Sequence, residues 1–230
     1  MESAQPKSDM RKLLAFTLPM AVFVLLLGIT GTGNRPESVS WFSYPAYWTY
    51  PVQTLVCGAL VLWFWRDYEI RAPRKTWFAL LVGVVVFVIW IAPQQFLGFA
   101  PRLIGFNPEI FAAQPGLYWT TVALRFLRLV VVVPLVEEIF WRGFLLRYPI
   151  NERFTTVAIG TFSWLSFAAV TLAFGFAHSP ADWVAALICG ALYNLVAYQT
   201  RSLAACVVAH ATTNLLLGLW IMQTRQWGFW

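Results

Sequence analysis

Seven stretches of this chain are apolar for long enough to cross the hydrocarbon core of a bilayer, which takes roughly 20 residues in helical form. They run near Leu13–Thr30, Ala46–Trp65, Trp77–Gln94, Tyr118–Leu146, Thr155–His178, Trp183–Tyr198 and Leu203–Met222. A segment in lipid must satisfy its backbone hydrogen bonds internally, so such windows predict helices. The expected fold is all-α: a polytopic transmembrane helical bundle forming one membrane domain over residues 1–230. Seven spans are expected, with eight as the alternative; Tyr118–Leu146 is too long for one straight crossing and reads as an interfacial helix joined to a kinked span, since Pro134 interrupts the helical ladder. Composition agrees. Of 230 residues, 60% are hydrophobic and 11% charged, and the mean hydropathy is +0.66. A soluble domain of this length cannot bury so much apolar surface.

The net charge of +6 bears on topology rather than on nucleic acid, because no basic run of the phosphate-gripping kind is present. The cations sit at the ends of the apolar windows. Lys7, Arg11 and Lys12 precede the first; Arg66, Arg71, Arg74 and Lys75 separate the second and third. Arg142, Arg147 and Arg153 separate the fourth and fifth, and Arg201 precedes the seventh. The intervening loops, around 31–45 and 95–117, are poor in charge and rich in aromatics. By the positive-inside rule the N-terminus is expected in the cytoplasm. The first window lacks a small-residue exit and reads as a retained anchor. Cys57, Cys189 and Cys206 lie in apolar stretches without CxxC spacing and read as small core residues. The ending QWGFW holds no cysteine to prenylate.

A charge at bilayer depth costs about 2.5–3.5 kcal/mol on insertion scales, so ionisable residues inside the windows are functional candidates. The stretch VVVVPLVEEIFWRGFLLR, residues 130–147, carries two adjacent acids. Residues four apart share a helix face, so Arg142 pairs with Glu138 and neutralises it. Glu137 lies about 100° round the helix and is not served by the same arginine. A carboxylate left unpaired in a partly dry site accepts a proton more readily than one in water, which suits a general base. His178 closes FGFAHSP at the end of the fifth window. His210 and Asn214 are four apart within VVAHATTNLLL, on one face of the last. Arg125 and Arg128 read as interfacial anchors, or as contacts to lipid phosphate, rather than as catalysts. HExxH, GxSxG, a pair of intramembrane aspartates and a glycine-rich phosphate loop are all absent from the sequence. The remaining set, Glu, His, His and Asn, is chemically sufficient for peptide hydrolysis in an intramembrane polar cavity.

In order and spacing these residues resemble the CAAX prenyl protease and bacteriocin-processing family of intramembrane endopeptidases. The family's EExxxR, FxxxH and HxxxN motifs are matched by EEIFWR (Glu137, Glu138, Arg142), FGFAH (Phe174, His178) and HATTN (His210, Asn214). The short chain is similar to prenyl-protease-related proteins found beside bacterial exosortase systems. The resemblance implies a glutamate-type endopeptidase of a bacterial cytoplasmic membrane, its catalytic core within residues 118–222. It implies that Glu137 and His178 activate water and that His210 and Asn214 stabilise the oxyanion. Glu138, Arg142 and Phe174 are implied as supporting residues. It further implies no cofactor, and a membrane-associated protein or peptide, lipidated or processed at its C-terminus, as substrate.

Other readings use the same residues. Glu137, His178 and His210 supply enough ligands for a catalytic zinc with one open position. The same fold also suits a catalytically silent immunity or scaffold protein, and the polar cluster suits a transporter site. Depth offers a check. At about 1.5 Å per residue, Glu137 lies about 15 Å above Arg147, and His210 and Asn214 about 13 and 20 Å above Arg201. His178, counted from Arg153, comes out near 37 Å, beyond a core of about 30 Å. The fifth span is therefore expected to tilt, to break near Gly160 or Gly175, or to lie partly in the interface.

Overall fold

A computed structural model describes residues 5–29, 45–103 and 105–230, and these residues are helical and joined by turns, with no strand among them. The aromatic loop expected around 31–45 lies, up to residue 44, outside the described residues. Helix α1 (Gln5–Ile29) is followed by α2 (Pro45–Trp63) and α3 (Thr76–Phe96). A continuous helical rod then runs from Pro115 to Leu145 and contains α4 (Pro115–Leu127) and α5 (Val133–Glu138). Helices α6 (Trp164–Phe176), α7 (Trp183–Thr200) and α8 (Leu203–Thr224) complete the bundle. Among the described residues, five helical segments are long and apolar enough to cross a membrane: Asp9–Ile29, Thr76–Phe96, Pro115–Leu145, Pro180–Thr200 and Leu203–Thr224. Large apolar side chains such as Leu25, Leu62, Leu165 and Val184 stand exposed on the bundle's outside, where lipid rather than water accommodates them. The protein is an integral membrane protein.

Pro134 does not end the helix in the fourth window, so the alternative of an eighth span there is not what the chain adopts. The chain adopts wider π-helical turns at Arg128–Val132 and Ile139–Leu145, on either side of α5, and the rod continues through the proline. In the first π turn the Val133 N–H donates five residues back, to the Arg128 carbonyl. The Leu129 carbonyl thereby loses its ordinary α-helical donor, and the next residue, Pro134, has no N–H to offer. In α1 the Ala15 carbonyl is orphaned in the same way by Pro19, and the Tyr68 hydroxyl donates to it at 2.9 Å.

The fifth window is shorter than its apolar run. Residues from Tyr148 to Ser163 form turns and a single 3-10 turn, and α6 begins only at Trp164. The break sits at Gly160, whose φ of 76° favours glycine, and a Cβ there would stand 2.2 Å from the Ala197 carbonyl oxygen. The Ser166 hydroxyl donates to the Leu146 carbonyl at 2.5 Å and sets the register of α6 against the rod. Counted from that level, His178 rises about 18 Å and Glu137 about 14 Å, so the depth conflict disappears. Gly160→Ala is expected to lower stability by more than about 1–2 kcal/mol, the backbone clash adding to the left-handed penalty. Thermal unfolding of the detergent-purified protein measures it.

The two largest of the four apolar clusters among the described residues meet at the rod. One joins α1, α2 and the rod through Phe16, Cys57, Val136 and Ile139; the other joins α3, α6, α7 and α8 through Val86, Phe174, Cys189 and Ala209. Arg142 and Arg147, counted above as loop cations, are both fully buried. The Arg147 guanidinium donates to the Gly143 and Val157 carbonyls and to Glu69 at 2.6, 3.0 and 2.8 Å, tying the rod's end to the turns beside it. Burial lowers the pKa of Arg147 from its ordinary value, and Glu69 opposes that shift. At the opposite end, Arg102 pairs with Asp182 and lies over the Phe229 ring, joining the 95–117 loop to the start of α7.

Candidate active site

The two adjacent acids face different surroundings. Glu138 is fully buried, and its Oε1 accepts from Arg142 Nη1 at 3.0 Å, four residues on. Arg142 also donates from Nε to Asn194 Oδ1 and from Nη2 to the Gly190 carbonyl, each at 3.1 Å. Its guanidinium lies between the Phe174 and Tyr193 rings, 5.0 and 5.3 Å from their centroids. Asn194 is held in turn by Thr171, at 3.2 Å. Two charges removed from water need this density of partners, because an unpaired one costs several kcal/mol. Glu137 is half-buried, makes no hydrogen bond or ion pair among the described residues, and lines a cavity of about 280 Å³.

His178, His210 and Asn214 line the same cavity. Each is fixed by a bond on its far side. His210 Nδ1 lies 2.9 Å from Glu138 Oε1, the oxygen that already accepts from Arg142. A carboxylate in that position accepts, so Nδ1 carries the proton and Nε2 is the nitrogen left for the cavity. Tyr193 stacks on the imidazole at 5.1 Å and anchors its own hydroxyl on Thr213 at 2.7 Å.

His178 is held by the end of its own helix. The His178 N–H turns to the Gly175 carbonyl, which leaves the Phe174 carbonyl without its helical donor. His178 Nδ1 donates to that carbonyl at 2.7 Å, and Nε2 remains free as a lone-pair acceptor. Trp90 of α3 packs its indole edge-on to the ring at 5.3 Å. Phe174 thus supports the site twice, by its carbonyl under His178 and its ring under Arg142.

Asn214 answers the orphan left by Pro134. Its Nδ2 donates to the Leu129 carbonyl at 2.8 Å, which spends one amide proton and leaves the second available. Among the described residues no group of three or more His, Cys, Asp and Glu side chains is gathered as a metal site, Glu137, His178 and His210 included.

Arg125 and Arg128 depart from the sequence expectation of interfacial anchors. They are 4% and 7% exposed, turned into the protein by the rod, and Arg128 lines the cavity. Asn194, Tyr193 and Trp90 were not singled out from sequence. Asn194 had a usable signal, an amide within the apolar run of α7, since such groups in spans seek partners. Tyr193 and Trp90 had none, being two aromatics among many.

Residues 119–216 match the family model described as type II CAAX prenyl endopeptidase Rce1-like. Comparisons with curated proteins and with solved structures returned no match.

Proposed function

We propose that this protein, whose residues 119–216 match the family model of type II CAAX prenyl endopeptidases, Rce1-like, is a glutamate-type intramembrane endopeptidase. The substrate is a membrane-associated protein cut near its C-terminus. The observation that carries the reading is the division of the two acids: Glu138 is consumed by Arg142 and His210, while Glu137 stands free in the cavity beside both histidines and Asn214.

In the proposed reaction a water in the cavity attacks the substrate carbonyl carbon. Glu137 takes the water proton, and His178 Nε2 accepts a hydrogen bond from the same water and orients it. The C–O bond forms, and the carbonyl oxygen becomes an oxyanion. The free amide proton of Asn214 and Nε2–H of protonated His210 donate to that oxyanion. His210 holds two protons in this role, and the Glu138 carboxylate against Nδ1 stabilises the imidazolium. The tetrahedral intermediate collapses when protonated Glu137 gives its proton to the departing amine. The C–N bond breaks, one fragment leaves with a carboxyl group and the other with an amine, and Glu137 returns as carboxylate.

The cations flanking the apolar segments support an N-terminus in the cytoplasm. In the test, purified protein in bilayers is given a membrane-anchored peptide, with and without a zinc chelator. Cleavage is expected at the same rate in both. Loss of activity with chelator and its return with zinc would overturn the glutamate mechanism.

A further inference from the structure

Arg128 is a buried cation at the catalytic cavity with no ion pair in contact among the described residues, the opposing charge it feels being that of Glu137 in the same cavity. Arg128 projects from the first π turn of the rod, 7% exposed, and lines the cavity that holds Glu137. Its Nε donates to Gln53 Oε1 at 2.5 Å; Gln53 is itself fixed, because its Nε2 donates to the Phe23 carbonyl at 2.7 Å. The guanidinium lies against the Tyr50 and Phe23 rings, 4.5 and 5.2 Å from their centroids. Among the described residues neither Nη atom of Arg128 donates a hydrogen bond, and no carboxylate forms an ion pair with it. Arg125, one turn back, adds a second buried cation caged by Tyr50, Phe106 and Trp230. Aromatic faces and one amide orient a guanidinium without cancelling its charge. Arg142 and Arg147, buried as well, are each paired with a glutamate.

We propose that Arg128 is the subsite for the C-terminal carboxylate of the substrate. A planar guanidinium with a free Nη edge matches a carboxylate or a phosphate in two parallel hydrogen bonds. A lipid phosphate carries acyl chains that stay in the bilayer, whereas Arg128 opens to the cavity. A chain that presents a peptide bond to Glu137 must enter that cavity. Arg128 and Glu137 are nine residues apart on one rod, about 13 Å along its axis, which leaves room for a short extended segment between the cut bond and the terminus. Arg128 is on this view a specificity residue, and the proposal rests on the endopeptidase reading.

The test measures binding without cleavage. The Glu137→Gln protein is titrated with acetyl-trileucine as free acid and as carboxamide, and thermal unfolding reports occupancy. The acid is expected to bind at least about tenfold more tightly than the amide. Arg128→Gln is expected to remove that preference and Arg128→Lys to keep part of it. Equal binding of acid and amide, or binding of neither, overturns the proposal; the comparison on unmutated Arg128 stands even if Arg128→Gln does not fold. The titration is repeated in bilayers with and without phosphatidylglycerol. If Arg128-dependent stabilisation follows that lipid and not the peptide acid, the site takes a lipid phosphate and the proposal fails. Cleavage activity is measured separately, so failure here leaves the protease reading standing.

Discussion

Glu137→Gln is expected to lower the rate of peptide cleavage by about 10²–10⁴-fold, the usual contribution of a positioned general base. The unfolding temperature is expected to stay at the wild-type value. Both halves follow from the same surroundings. Glu137 holds no partner among the described residues, so an isosteric amide removes no native contact. The amide cannot take the water proton, and His178 alone then has the task of both orienting and deprotonating. Initial rates on a membrane-anchored peptide, beside thermal unfolding of the same preparation, check the pair of outcomes.

Glu138→Gln and Arg142→Met are each expected to destabilise the protein by about 3–5 kcal/mol, because each leaves the other charge buried without its counter-ion. The double variant is expected to recover much of that loss, since it removes both charges together. Cleavage is not expected to recover with it. His210 Nδ1 would then face no carboxylate, and the imidazolium needed at the oxyanion would lose its support. Restored stability with absent activity separates the two duties of Glu138, holding Arg142 and orienting His210. Unfolding midpoints and initial rates of the three variants measure it.

Much of this architecture was legible in the sequence because hydrocarbon imposes a simple rule. Apolar windows become helices, and α3, α7 and α8 lie close to the windows that announced them. The separation of Glu137 from Glu138 was likewise readable, since a helix places residues four apart together and adjacent ones on different sides. In the window around Thr155–His178 the depth mismatch of His178 announced a break near Gly160, but not how much of the window stays non-helical, because apolarity does not require helicity. Its first part folds as turns packed on α7, with Gly160 against the Ala197 carbonyl. Pro134 left two outcomes open in the sequence for another reason. A proline withdraws one donor, but a π turn and the distant amide of Asn214 absorb that loss without ending the helix. Arg125 and Arg128 gave no sequence signal of burial, because snorkelling to the interface and turning inward look alike along the chain. What fixes His210 on Glu138, or Trp90 on His178, is tertiary contact across more than 70 residues.

Hydrolysis by Glu137 is tested most directly on the natural substrates. Membranes from cells making the active protein are compared with membranes containing equal amounts of folded Glu137→Gln protein, and protein termini are sequenced across both. A set of new C-termini and matching N-termini, cut close to the ends of membrane-associated proteins, is expected only with the active protein. The same termini at the same abundance in both membranes would contradict the assignment.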